Sequence, residues 1–264
     1  MSFSGGQKYI FSLIQKDLKS TTVLGLMSGS SMDGLDLALV RFEHQSAWSF
    51  HVLATGTSPF SKELEQTIEK AFTGNAFDLA LAHKTIGSAF GIMAQEFLSL
   101  NSIKPDLICS HGHTIFHQPE LNMTFQAGSG AEIAAKTGVD TVCDLRTTDI
   151  ALDGQGAPLV PVGEKALFRD QNIFLNLGGI ANISLHTEKV KAFDICHCNL
   201  ILNALALEKN KPFDENGDLA RSGSVDHHLQ ERLLGIMKNQ LHGPYSIGRE
   251  HFERSIAPLL VNAT

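Results

Sequence analysis

Short apolar runs separated by polar and glycine-containing turns alternate along the chain with longer stretches of helical periodicity. In the first half, three runs bounded by turn residues predict strands at 22–28, 35–42 and 48–54. Apolar residues then recur every three or four positions, which predicts helices near 61–73 and 78–100. The same spacing at the start of the chain predicts a short amphipathic leader helix.

The middle of the chain returns to short apolar runs. The segment KPDLICSHG predicts a buried strand that ends in a polar loop, because its apolar run lies between Pro105 and Gly112. A short helix is predicted at 130–138, where Gly138 ends it. The run DTVCDL predicts a further buried strand.

The second half repeats the pattern of the first. NIFLNLGGIANISLH predicts two strands joined by a glycine turn, and VKAF predicts a third strand that ends at Asp194. A helix is predicted before these strands, near 163–169, and two more after them, near 199–209 and 226–240. The closing run APLLV is expected to be a strand. This echo predicts a mixed α/β fold of two similar lobes with a central cleft, covering residues 1–160 and 161–264.

Composition narrows the function classes. The 264 residues are 43% hydrophobic and 19% charged, which is typical of a globular protein. The net charge of −7 argues against nucleic acid as a partner. No apolar run is long enough to span a bilayer, and no secretion signal is visible, so we expect a cytoplasmic protein without a membrane partner. Four irregularly spaced cysteines are expected to be reduced core thiols.

The stretch GLMSGSSMDG contains more small polar residues than a turn requires. Asp33-Gly34 alone can close a hairpin. The additional serine hydroxyls and backbone N–H groups suit an anion such as phosphate, and Asp33 suits a hydrated metal ion. An ordinary hairpin turn explains the segment equally well. Gly178-Gly179 forms a second turn of this kind, at the corresponding point of the second half.

Three histidines in SHGHTIFHQP suggest a polar ligand site. His111 and His113 would share one face of an extended chain, which suits either a metal ion or hydrogen bonds to a substrate. No acidic residue at a matching spacing completes a metal set with His117, so a hydroxylated ligand is the more economical interpretation.

The segment DLRTTDIALDGQGAPLVP is predicted to be a loop that orients a polar substrate. Arg146 can bind a carboxylate through two N–H groups, and Asp149 lies close to it in the sequence. An internal network of ion pairs is an equally good interpretation of either residue.

Asp194 is a candidate general base at the end of its strand, or else a cap of the helix that follows. The spacing of Cys196-His197-Cys198 is too tight for a usual zinc pair, so structural thiols are favoured.

Taken in order, these motifs resemble those of the anhydro-N-acetylmuramic acid kinases from about residue 22 onward. The resemblance rests on eight segments of the chain: GLMSGSSMDGLDLAL, SHGHTIFHQP, FQAGSGAEIAAKTG, VCDLRTTDIALDGQGAPLVP, LNLGGIANIS, FDICHCN, PFDENGDLARSG and SIGREHF.

The resemblance implies a fold and a reaction. The fold is the actin–hexokinase type, a duplicated mixed-sheet α/β architecture of ribonuclease-H-like lobes around a cleft. The reaction uses ATP and Mg²⁺. Water opens the ring of 1,6-anhydro-N-acetylmuramic acid, the freed 6-oxygen takes the γ-phosphoryl group, and the product enters cell-wall recycling. A homodimer is usual in the family.

The resemblance also implies roles for individual residues. Asp194 matches the residue that activates water, and Asp33 lies where the metal is held. The sugar site is expected to involve His111, His113, Arg146 and Asp149. The two phosphate loops are expected to comprise Gly29, Ser30, Ser31, Asp33, Gly34, Gly178 and Gly179.

The chain departs from the family pattern at three places. The first loop reads Gly-Ser-Ser where Gly-Thr-Ser is usual, which keeps the hydroxyl group. The motif after Asp194 reads Ile-Cys-His-Cys-Asn where Thr-Gly-Pro-Gly-Asn is common, so both glycines are replaced. Family members also continue beyond the segment that closes this chain, which implies an incomplete second lobe.

Two other functions remain open from the sequence. A degenerate sugar- or nucleotide-binding protein on the kinase fold would bind ligands without turnover. A metal-dependent hydrolase would use His111, His113 and His117 together with Cys196 and Cys198, and would lose its activity on chelation.

Overall fold

The computed structural model describes residues 20–29, 32, 34–188, 190–240, 247 and 251–261. The predicted leader helix and three members of the first predicted phosphate loop, Ser30, Ser31 and Asp33, lie outside the described residues. The chain divides into two compact units, one up to Leu159 and one from Val160.

The first unit is built on a mixed six-stranded sheet. Its strands are β1 (Ser20–Ser28), β2 (Leu35–His44), β3 (Trp48–Ser58), β4 (Leu107–Gln118), β5 (Met123–Ala127) and β6 (Thr141–Val142). The order is β3-β2-β1-β4-β5, and β6 runs parallel to the first part of β4. β1 is antiparallel to β2 and parallel to β4. The prediction of a mixed α/β fold is confirmed by this sheet.

Helices pack on the sheet of the first unit. They are α1 (Lys62–Thr73), α2 (Ala76–Asn101), α3 (Gly130–Thr137) and the short α4 (Thr147–Ala151). α1 begins where the Ser61 side chain accepts a hydrogen bond from the N–H of Leu64, and α2 begins with a capping box. α3 ends at Gly138, whose φ of +65° suits glycine.

The helices and strands share one apolar core. Leu24 and Leu39 of the sheet and Ile86 and Phe90 of α2 are completely buried in it. The period-two pattern of β1 and β2 and the helical period of α2 each place apolar side chains on the face that enters this core. These periodicities are the reason why the sequence predicted the elements of the first unit.

β4 is longer than predicted, and the prediction that it ends in a polar loop is wrong. The strand continues to Gln118, so His111, His113 and His117 all lie on it. Gly112 has a φ of +72° inside the strand, and the pairing of β1 with β4 shifts just before His113. An irregular strand of this kind reads as a loop in the sequence because glycine interrupts the apolar run.

Two other predictions in the first unit need correction. The strand expected in DTVCDL is reduced to β6, and Cys143 beyond it is exposed and not a core thiol. The loop expected over residues 144–161 contains α4 as well as the first two residues of α5.

The second unit begins with a helix, α5 (Val160–Leu167), followed by an antiparallel sheet of three strands. The strands are β7 (Ile173–Leu177), β8 (Ile180–His186) and β9 (Val190–His197). Then come α6 (Asn199–Glu208), α7 (Asp218–Ser222), α8 (His227–Gln240), a π-helical turn (Phe252–Ile256) and α9 (Ala257–Leu260). Buried residues of α6, the π turn and α9 form a small core: Ile201, Phe252, Ile256 and Leu260.

Two predictions in the second unit are wrong. Asp194 lies inside β9, three residues before its last residue, and not at the end of a strand. The APLL segment of the closing run is helical, so the strand expected there does not form. Among the helices that the structure describes, none combines the length and the apolar character needed to cross a bilayer.

Candidate functional site

His111 and Arg146 form the centre of a polar cluster in the first unit. Arg146 Nε donates a hydrogen bond of 2.9 Å to His111 Nε2. Since a guanidinium only donates, Nε2 carries no proton, and Nδ1–H donates to the Gly112 carbonyl at 2.9 Å. Burial, together with the Arg146 charge, lowers the pKa of His111. His111 is therefore a neutral ring with both nitrogen atoms engaged.

Arg146 and Asp149 also hold the glycine segment that follows α4. Arg146 Nη1 donates to the Gly156 carbonyl at 2.5 Å, and Asp149 Oδ2 accepts from the N–H of Gly156 at 2.7 Å. Gly156 has a φ of +61°, and a Cβ there would lie 2.7 Å from the Ile150 side chain. The two charged residues thus bind the two successive peptide groups on either side of the Gly156 Cα and fix the local shape of the segment.

His113 lies against a different partner. Its Nδ1 is 2.8 Å from Ser28 Oγ, and both side chains are almost fully buried. Burial first, and then the neighbouring His111, lowers the pKa of His113 to about 4. The edge of the Phe72 ring meets His113 at a centroid distance of 6.4 Å. His113 is therefore uncharged at neutral pH, and it ties β4 to the end of β1.

His117 lies further along β4, where its Nδ1 meets Thr124 Oγ1 at 3.1 Å. The Thr124 hydroxyl donates to the Phe116 carbonyl and accepts from Gln126 Nε2. Protein groups thus engage a ring nitrogen of His117, as they do in His111 and His113.

A cavity of about 230 Å³ lies beside this cluster. It is lined by His83, His111, Gly112, Gln126, Gly128, Gly130, Cys143 and Asp144. His83 Nδ1 accepts from the N–H of Gly128 at 3.2 Å, which fixes the turn between β5 and α3. Two histidines, a glutamine and an aspartate therefore line a space of the size of a small polar ligand.

Two glycines of the first predicted phosphate loop are described. The Gly29 carbonyl accepts from the N–H of Met32 at 3.3 Å, and Met32 has a φ of +57°. A Cβ on Gly34 would lie 2.6 Å from the Ser58 carbonyl oxygen. Close packing of β2 against the end of β3 therefore requires glycine at position 34, whether or not a ligand is bound.

The second glycine turn has no such packing requirement. A Cβ on Gly178 would meet no atom closer than 3.7 Å, and one on Gly179 would lie 3.4 Å from Leu200. Neither Gly178 nor Gly179 has a positive φ. The Gly178 carbonyl accepts from the N–H of Asn199, and the Gly179 carbonyl accepts from the N–H of Cys198 and of Leu200. The turn is therefore tied to the start of α6.

Asp194 belongs to the same region of the second unit. It lies opposite Asn182 in the pairing of β8 with β9, next to a register shift. Its Oδ2 accepts a hydrogen bond of 2.6 Å from the N–H of Ile247. The carboxylate does not take the N-cap position of α6. That position belongs to Cys198, whose side chain makes no capping hydrogen bond.

A metal site is not found among the described residues. Burial raises the pKa of both Cys109 and Cys196, which favours the thiol over the thiolate that binds metals. Each histidine that the hydrolase hypothesis needs already bonds to a protein group through a ring nitrogen. Asp33, the predicted metal residue, lies outside the described residues.

The structure identifies bonding partners of the predicted site residues. Ser28, Gly156 and Ile247 bond directly to His113, Arg146 and Asp194. Ser28 belongs to GLMSGSSMDG, whose serines are expected to offer hydroxyl groups, and Gly156 to a glycine-rich segment. Both residues therefore carry a signal in the sequence. Ile247 lies in the SIGREHF segment of the family resemblance, but its contact uses the backbone, so the sequence gives it no individual role.

Comparison with known proteins identifies the family. The profile of the anhydro-N-acetylmuramic acid kinase family matches residues 21–258. Curated relatives with that name occur in Shewanella sp. (strain MR-4), with 37% identity over 88% of this chain and 66% of theirs. Others occur in Photobacterium profundum, with 36% identity over 87% and 64%, and in Pasteurella multocida, with 37% over 87% and 64%. The chain thus spans about two thirds of the length of these relatives.

Among solved structures, Thermus thermophilus RuvC is 14% identical, with 57% of this chain and 82% of that chain covered, at a TM-score of 0.31. No argument about function follows from so slight a likeness. The family profile covers most of the chain, and the curated relatives share more than a third of its aligned residues. This chain therefore belongs to the anhydro-N-acetylmuramic acid kinase family.

Proposed function

We propose that the chain is an ATP-dependent kinase that opens 1,6-anhydro-N-acetylmuramic acid by hydrolysis and phosphorylates its 6-oxygen. The observation that carries the proposal is the family match over residues 21–258. The proposal includes the actin–hexokinase arrangement, with two ribonuclease-H-like lobes, the second incomplete, around a central cleft. It also includes a cytoplasmic location, a homodimer, and no nucleic-acid partner.

The phosphates of ATP are assigned to the two glycine turns. Gly178 supports this role, because neither packing nor a positive φ explains the absence of a side chain there. A bare backbone lets a phosphate approach the N–H groups closely. Gly29, Ser30, Ser31, Asp33 and Gly34 would form the other loop, with Asp33 holding hydrated Mg²⁺. The bound ion would neutralise charge on the transferred phosphoryl group.

The sugar is assigned to the cavity beside His111. Arg146 and Asp149 fix the segment at Gly156, while His111 fixes the direction of the Arg146 side chain. A neutral His113 keeps β4 against Ser28 without placing a charge there. A site shaped by such bonded groups needs little rearrangement when a hydroxylated ligand binds.

Asp194 is assigned the role of general base. Its carboxylate would take a proton from water as the water oxygen bonds to the anomeric carbon of the sugar. The bond from that carbon to the 6-oxygen breaks, and the 6-oxygen takes the γ-phosphoryl group of ATP. The products are N-acetylmuramic acid 6-phosphate and ADP, and one proton is released. A positioned carboxylate typically contributes about 10²–10⁴-fold to such a step.

The direct test is to incubate the purified chain with ATP, Mg²⁺ and the anhydro sugar, and to detect the phosphosugar by mass spectrometry. Asp194→Asn is expected to form none. Asp170→Asn, which neutralises an exposed carboxylate of the same unit, is expected to match the unchanged chain. Equal product from the unchanged chain and Asp194→Asn contradicts the assigned base.

The binding-only alternative draws on the altered residues after Asp194. His197 is buried, and Cys196 is partly buried, where the family commonly has small or ring-constrained residues. If ATP and the sugar bind but no ADP accumulates, the binding function replaces the kinase.

A further inference from the structure

The Asp194 carboxylate is held by a residue 53 positions further along the chain. The N–H of Ile247 donates to Asp194 Oδ2 at 2.6 Å. Ile247 is only 6% exposed, so its N–H is placed away from bulk water. A hydrogen bond from a backbone N–H to a carboxylate is charge-assisted, and it is stronger than one between neutral groups.

A second contact joins the same two regions. His251 stacks on His197, with ring centroids 5.2 Å apart and planes 11° from parallel. The ring of Phe252 lies 5.6 Å from that of His197, which is only 3% exposed. The residues around Ile247 therefore meet β9 both at Asp194 and at its last residue, His197.

We propose that the backbone N–H of Ile247 is a positioning group for Asp194. The terminal torsion of an aspartate side chain is soft, so a lone carboxylate samples a broad range of orientations. A fixed donor on Oδ2 removes this freedom and directs Oδ1 to one place. A base held in that way meets its water in the geometry that proton transfer requires.

The inference rests on the proposed function, because the water and the proton belong to that reaction. It adds a group that no side-chain motif contains. The Ile247 side chain needs only to stay buried, while the N–H itself is essential. Variants of Ile247 that keep the N–H are thus expected to differ in kcat from variants that remove it.

The kinetic test removes one backbone atom group. Replacing Ile247 with its α-hydroxy acid turns the amide into an ester, which eliminates the N–H and keeps the side chain. We expect kcat to fall about tenfold, with KM for both substrates unchanged within about twofold, since one charge-assisted bond is lost. Ile247→Val, which keeps the N–H, is expected to retain kcat. An ester variant with unchanged kcat overturns the proposal.

A spectroscopic test does not depend on turnover. In protein labelled with ¹⁵N-isoleucine, the Ile247 amide proton is expected far downfield, as a donor to a carboxylate. Asp194→Asn is expected to move it upfield, and Asp170→Asn to leave it in place. If Asp194→Asn leaves the chemical shift of the Ile247 amide proton unchanged, the inference is overturned. An amide proton that moves, in a chain without kinase activity, overturns the proposed function and leaves the contact between Ile247 and Asp194 intact.

Discussion

Arg146 Nε lies 2.9 Å from His111 Nε2, and this bond fixes both the tautomer of the histidine and the direction of the arginine. The same guanidinium holds the Gly156 carbonyl through Nη1. One side chain thus connects β4, α4 and the glycine segment after it. The cluster that sequence motifs assigned to substrate is also part of the framework of the first unit.

Arg146→Lys is expected to destabilise the first unit. An ammonium group cannot span His111 and Gly156 with the geometry of a guanidinium, so at least one buried bond is lost. We expect the free energy of unfolding to fall by about 1–3 kcal/mol. Urea unfolding followed by the fluorescence of Trp48 measures this, because the chain has a single tryptophan and it lies in β3.

The matched control is Arg41→Lys, since Arg41 is exposed on β2. A surface change of this kind is expected to stay within about 0.5 kcal/mol. Equal losses in the two variants would contradict the role given to the Arg146 bonds.

The His113 ring predicts how stability depends on pH. Its pKa is about 4 in the folded chain against 6.5 for the free group, because burial opposes its charge. Between these values the unfolded chain binds more protons, so the free energy of unfolding decreases as the pH falls from 6.5 to 4. The contribution of His113 is at most about 3 kcal/mol, and it is fully present above pH 6.5.

His113→Asn is expected to flatten this pH dependence, because an amide can partner Ser28 but cannot titrate in that range. The neighbouring histidines keep part of the slope, since burial lowers the pKa of His83, His111 and His117 as well. His51→Gln, at an exposed position of β3, serves as the control. A slope that His113→Asn leaves unchanged counts against the buried neutral ring.

Gly178→Ala is expected to separate ligand binding from stability. A Cβ there meets nothing closer than 3.7 Å, so the free energy of unfolding should change by less than about 0.5 kcal/mol. KM for ATP should rise about tenfold or more, because a methyl group obstructs the N–H groups that hold phosphate. Steady-state kinetics with varied ATP measures the change.

Gly163→Ala and Gly34→Ala serve as controls for Gly178→Ala. Gly163 lies in α5 with no atom within 4 Å of an added Cβ, so neither KM nor stability should suffer. Gly34→Ala places a Cβ 2.6 Å from the Ser58 carbonyl and should cost about 1–3 kcal/mol of stability. An unchanged KM for ATP in Gly178→Ala removes the support that this turn gives to a phosphate site.

Strand β7 predicts self-association through its exposed apolar residues. Ile173, Leu175 and Leu177 alternate along it and are 57–65% exposed, and among the described strands β7 pairs only with β8. An exposed apolar edge strand is a template for pairing with another chain. Leu175→Lys should therefore reduce light scattering at high protein concentration. Leu100→Lys, at an even more exposed leucine in the last turn of α2, should not. Equal scattering of both variants contradicts the edge as the cause.

The periodic parts of the chain could be predicted from the sequence. Strands β1 and β2 and helices α1 and α2 are predicted close to their observed bounds, because one face of each carries buried apolar residues. Strand β3 has only half-buried and exposed residues, and it extends four residues beyond its predicted end. β4 was cut short since Gly112, with its positive φ, interrupts the pattern that marks a strand. The run at Ala257 is helical although the sequence predicts a strand, because a few apolar residues fit a strand and a helix equally well.

The sequence selects candidate site residues where side chains carry the chemistry. Asp194, His111, His113, Arg146 and Asp149 were all selected from their motifs, and their roles toward the substrate stay predictions. The contacts among them were not predictable. The bond between His111 and Arg146 joins side chains 35 positions apart in the chain. Arg146 and Asp194 also bond to backbone groups of Gly156 and Ile247, which have the same chemistry in every residue.

The most direct test of the central claim follows the oxygen atoms of the reaction. The chain is incubated with ATP, Mg²⁺ and 1,6-anhydro-N-acetylmuramic acid in H₂¹⁸O, and the phosphosugar is fragmented in a mass spectrometer at early times. The account predicts one ¹⁸O at the anomeric carbon, none in the phosphate ester, and no product from Asp194→Asn. Label in the phosphate ester, or no phosphosugar from the unchanged chain, contradicts it.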